Sequence, residues 1–99
     1  NELAHKPVLL VSVSASINGV YPISELRLSG SKNNHACFLP DHLIFRNIEG
    51  LISKDFQCED ADLHQRSQYT LDLLANYARA LAPVHRDMLE AGKPFRYGM

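Results

Sequence analysis

The sequence has no imbalance of charge: ten Lys and Arg stand against eleven Asp and Glu, a net of −1. That removes the electrostatic reason to expect nucleic acid or an anionic membrane as a partner. It has no apolar run near the roughly 20 residues a membrane-spanning helix needs. The longest, Pro7 to Val13, is the size of a strand. Cysteine is scarce, and Cys37 and Cys58 show no CxxC or other metal-ligand spacing. A disulfide between them is chemically open, but small disulfide-dependent secreted domains usually carry four or more cysteines, which favours free thiols. The opening Asn1-Glu2-Leu3-Ala4-His5-Lys6 lacks the apolar core of a signal peptide, so the cytoplasm is the expected location. No repeat or low-complexity segment occurs. The five histidines never fall at i, i+4 on one helix, which argues against a metal site and for solvated surface positions. Neither Cys58 nor Ser12 has a histidine in readable reach, so a hydrolase reading has no support.

What is present fits in one domain of 99 residues. Pro7-Val8-Leu9-Leu10-Val11-Ser12-Val13-Ser14 is β-branched and almost continuously apolar. Continuous rather than alternating hydrophobicity indicates a strand covered on both faces, as in a parallel sheet between helices. Ser14 to Gly19 is small and turn-forming except for Ile17, and reads as the loop leaving that strand. A helix is expected from near Pro22, with Ile23, Leu26 and Leu28 as its buried stripe. Ala36-Cys37-Phe38-Leu39 reads as a second strand, and Leu43-Ile44-Phe45 as its continuation past a bulge at Pro40, an edge signal.

Residues 46–60 form a polar connection anchored by Ile48, Leu51, Ile52 and Phe56. Asp60 or Asp62 then caps a long helix running to about Ala82, where Pro83 ends or kinks it. Leu63, Ser67, Leu71, Leu74, Ala78 and Leu81 give its apolar stripe, widened by Thr70, Ala75 and Tyr77. Residues 84–99 read as a tail, mobile or docked on a neighbour.

The order β-α-β-α is that of an open α/β sheet. It leaves the first strand with an unpaired far edge, and two-stranded sheets are marginal without further strands. Either those strands lie upstream in a longer polypeptide, as a first residue that is not Met suggests, or a second copy supplies them.

Lys6 to Ser14, with the small-residue loop to Gly19, resembles the fourth strand and following loop of the NADPH-dependent FMN reductase family. That family comprises flavodoxin-like quinone, azo-dye and chromate reductases. The resemblance runs on through Glu25-Leu26-Arg27, Cys37-Phe38-Leu39-Pro40, Leu43-Ile44, Asn47 and the long last helix, covering roughly residues 6 to 82. The GSxRxxS-type phosphate loop and the PxYNGS-type loop of the family occur nowhere in the chain, and Ser16-Ile17-Asn18 stands where relatives often carry glycine.

The resemblance implies a flavodoxin-like three-layer α/β/α fold, of which residues 1–99 would be the C-terminal βαβα portion of a parallel sheet, a single partial domain. It implies FMN as cofactor and NADPH or NADH as co-substrate, with hydride passing by way of the flavin to quinone, azo or flavin acceptors. Ser14, Ala15, Ser16, Asn18, Gly19 and Tyr21 would flank the isoalloxazine, mostly through backbone groups, with no catalytic side chain and no metal. An ordinary strand-to-helix turn, with Tyr21 as a half-buried packing ring, is the plainer reading of the same loop. Arg27 and Arg46 are candidates for a nicotinamide phosphate, with surface ion pairs as the commoner role. The implied partners are a missing N-terminal half or a second copy, in a homo-oligomer. Without the phosphate loop this chain alone is expected to be inactive. The alternative function is a non-enzymatic α/β module for self-association or complementation.

Overall fold

The computed structural model describes residues 2–92 and 95, and shows a mixed α/β arrangement. Strand β1 spans Pro7–Val13, helix α1 Val20–Ser29, strand β2 Cys37–Phe45, a one-turn helix α2 Ile48–Leu51, and helix α3 Ala61–Ala91. β1 and β2 pair in parallel, with α1 as the crossover that such a pairing requires. Both α1 and α3 pack against both strands.

The two apolar runs flanking Pro40 are one strand. β2 passes through Pro40 by bulging: Val8 is opposite Phe38, but Leu10 is opposite His42. Arg27 of α1 secures the bulge, its Nη2 donating to the carbonyls of Leu39 at 2.9 Å and Pro40 at 3.3 Å and lying 3.5 Å from His42 Nδ1. Asp60 is the cap of α3. Its side chain accepts from the Leu63 amide at 3.0 Å, which satisfies one of the open amides of the first turn.

α3 does not stop at Ala82. It continues through Pro83 to Ala91, so the expected tail is helical over residues 84–91; residues 93, 94 and 96–99 of that tail lie outside the described residues. Pro83 is tolerated because it lies on an exposed side of the helix, where water reaches the carbonyl of Arg79 that loses its amide partner. The inward face of α3 is also narrower than the sequence pattern. Thr70 is fully buried and Leu63, Ser67, Leu74, Tyr77 and Leu81 are half-buried, while Leu71, Ala75 and Ala78 face solvent. The face follows spacings of 3 and 4 from Leu63 through Thr70, and Leu71 lies one step, about 100°, off it.

Other expected anchors are exposed as well. Only Ile23 of the α1 stripe is buried; Leu26 and Leu28 are exposed, as is Phe56 in the connection before α3. Among the described residues the buried apolar set is Ala4, Leu10, Ile23, Leu39 and Leu43. The accessible surface of 7491 Å² is roughly a third more than the about 5,700 Å² of a compact monomer of this mass. The radius of gyration is 16.5 Å, against about 13 Å for a compact chain of this length. The core is small because two strands present too little surface to bury what the helices carry.

No helix among the described residues is long and apolar enough to cross a membrane.

Candidate functional site: the rim at the carboxyl ends of the strands

In an open α/β sheet, loops leaving the carboxyl ends of parallel strands gather at one edge, where ligands bind. Here two such loops meet. Ser14, the first residue after β1, donates its amide to the Phe45 carbonyl at 2.8 Å, which extends the ladder by one step. The chains then cross-link: the Ile48 amide donates to the Ser14 carbonyl at 3.1 Å and the Asn47 amide to the Ser16 carbonyl at 3.0 Å. Asn47 adopts the left-handed conformation, φ 51°, which asparagine tolerates better than most residues. That conformation turns the chain from β2 into α2.

Within the first loop, the Ser14 hydroxyl accepts from the Ser16 amide at 3.1 Å, a local turn that raises the loop above the strand end. The amides of Ala15, Ile17 and Asn18 have no acceptor among the described residues. Gly19 closes the loop. It is buried at φ 123°, and a Cβ there would lie 2.7 Å from Ile44 Cγ2. The loop therefore returns to the sheet at a point where only glycine fits.

The rim opens beside this cross-link into a shallow depression of about 430 Å³. Ile44, Leu51 and Leu63 supply its apolar lining, and Arg46, Asn47 and Asp60 its polar one.

Of the six residues expected at a flavin edge, the structure brings Ser14, Ala15, Ser16, Asn18 and Gly19 into one loop on this rim. Tyr21 behaves otherwise: it is 79% exposed in the first turn of α1, so it is neither a half-buried packing ring nor part of an enclosed wall. Arg27 is committed to the β2 bulge. Arg46 lines the depression and has no ion pair among the described residues, but it shares the depression with the Asp60 carboxylate.

The contribution of Asn47, Gly50 and Leu51 escaped the sequence reading, which took residues 46–60 as connection. The only local signal was Asn-Ile-Glu-Gly after an apolar run, a turn composition that fits many loops. Histidines read as solvated include two that pack: His42 beside Arg27, and His85, whose Nδ1 donates to the Ala4 carbonyl at 2.6 Å. Cys37 and Cys58 are free thiols. No group of three or more His, Cys, Asp or Glu among the described residues is arranged to hold a metal ion.

Comparison with known proteins leaves the rim as the evidence: no protein-family model, curated protein or solved structure matches the chain.

Proposed function

We propose that the chain is the C-terminal part of a flavodoxin-like, three-layer NAD(P)H-dependent FMN oxidoreductase and supplies one wall of the flavin site. The observation that carries this reading is the rim itself. A glycine-closed loop at the carboxyl end of β1 holds three unspent amides, those of Ala15, Ile17 and Asn18, facing solvent. Backbone donors on small residues suit the edge of an isoalloxazine, whose carbonyl and ring nitrogen atoms accept hydrogen bonds.

The residues fit that edge and do not fit the flavin phosphate. No glycine-rich anion cradle exists among the described residues, and the neighbouring depression holds the Asp60 carboxylate, which repels an anion. When bound, the flavin supplies the hydride chemistry. Ser14 to Gly19 position its ring through main-chain groups, and no side chain of this chain acts as acid or base. NADPH or NADH is the reductant, and quinones, azo compounds or a free flavin are the acceptors.

Titrating the 99-residue chain with FMN while following backbone amides by NMR tests the reading. Weak, saturable shifts at Ala15, Ile17, Asn18 and Gly19, with a dissociation constant well above micromolar and no NADPH oxidation, are expected. Unmoved amides in that loop would sink the flavin reading. Micromolar or tighter binding would instead show that the chain holds more than one wall.

A second reading, a non-enzymatic association module, is favoured by one observation: Val11 and Val13 of the more apolar strand are 49% and 62% exposed.

A further inference from the structure

The two outer edges of the sheet are built differently. On β2, Cys37 donates its amide to the Lys6 carbonyl and Phe45 accepts from Ser14, so its odd-numbered ends face β1 and Phe38, His42 and Ile44 turn their peptide groups outward. That outward row is interrupted. Pro40 has no N–H, the strand bulges there, and Arg27 occupies the carbonyls of Leu39 and Pro40. Proline, a bulge and a cation are the devices by which proteins keep an edge from pairing.

β1 has none of them past its first residue. Lys6 and Ser14 direct their peptide groups toward β2 at either end of the strand. By alternation, Leu9, Val11 and Val13 direct theirs away. Those groups have no partner among the described residues, and no charge, bulge or internal proline interrupts them.

We infer that the free edge of β1 takes the same edge of a second copy of this chain, antiparallel about a two-fold axis. The edge is self-complementary. With Val11 opposite Val11, Leu9 falls opposite Val13, and each outward-facing residue exchanges both of its hydrogen bonds with the residue across the axis. Every cross-strand pair is then apolar and mostly β-branched, the class that stabilises antiparallel pairing. The surface in excess of a compact monomer also exceeds the roughly 800 Å² that each partner contributes to a stable interface. The protected edge of β2 closes the assembly, so it stops at two copies with a four-stranded sheet. The inference does not rest on the flavin reading, since it uses no residue of the rim.

Sedimentation velocity on the full 99-residue chain, across micromolar to millimolar concentrations, reads the mass. Amide exchange on the same sample reads the edge. A reversible dimer of the 11.1 kDa chain is expected, with the Leu9, Val11 and Val13 amides protected in proportion to dimer. Val11→Lys places like charges opposite each other on the axis and raises the dimer dissociation constant by roughly tenfold, whereas Val11→Thr leaves it nearly unchanged. A chain that stays monomeric at millimolar concentration overturns the inference, whether its edge amides are open or shielded by another segment. A dimer in which the three amides exchange freely overturns it as well. The exchange measurement on the unsubstituted chain decides the matter even if Val11→Lys fails to fold.

Discussion

Gly19 sits so close to Ile44 that a methyl group on its Cα would lie 2.7 Å from Ile44 Cγ2. The contact joins the end of the β1 loop to the middle of the sheet, and φ 123° at Gly19 is a conformation L-residues rarely adopt. Gly19→Ala is expected to cost about 2 kcal/mol, from backbone strain together with overpacking. Urea unfolding followed by circular dichroism measures it. Gly50→Ala is the control. Nothing lies within 4 Å of a Cβ there and the residue is helical, so that change should be neutral or stabilise by a few tenths of a kcal/mol.

Arg27 holds the β2 bulge by two hydrogen bonds to main-chain carbonyls. Arg27→Met keeps the apolar stem and removes the donors. A loss of about 1–2 kcal/mol is expected in unfolding experiments, discounted toward the lower end because the site is only partly buried. The same variant unblocks the outer edge of β2, so sedimentation should show species beyond the dimer. A variant that loses stability but stays dimeric would mean that Pro40 and the bulge guard the edge without help.

Thr70 is fully buried on the inner face of α3, and its hydroxyl has no hydrogen-bond partner. Leaving such a group unpaired costs about 1–3 kcal/mol relative to a paired one. Thr70→Val keeps the shape and discards the hydroxyl, and is expected to raise stability by roughly 1 kcal/mol. Thermal unfolding gives the sign directly. A destabilised Thr70→Val protein would show that an ordered water or the backbone of α3 satisfies the oxygen.

The elements that the sequence disclosed are those fixed by near neighbours. Pro7 to Val13 is a strand because its run of branched apolar residues has no other use. Asp60 caps α3 through a hydrogen bond only three residues long. The bulge at Pro40 was legible because proline cannot continue a ladder, while its lock by Arg27 was not, since that bond spans another element. The inner face of α3 was half legible. Leu71 looks as apolar as Leu74, and only the position of the strands decides that Thr70 is buried and Leu71 is not. Pro83 misled for a similar reason. The rule that proline ends a helix concerns a lost amide, and here water compensates for it. At the rim, the run of small residues from Ser14 to Gly19 was visible, but its tie to Asn47 and Ile48 was not. Contacts between two loops leave no period in either.

Pro83 also divides α3 in its response to heat. Past the missing bond to Arg79, the last two turns are held by their own hydrogen bonds and by little else. Warming should therefore melt the helix from Ala91 back to that proline before the remainder yields. The first thing to let go would be the ring of His85, and with it the grip on Ala4 that keeps the opening turn folded against the start of the sheet.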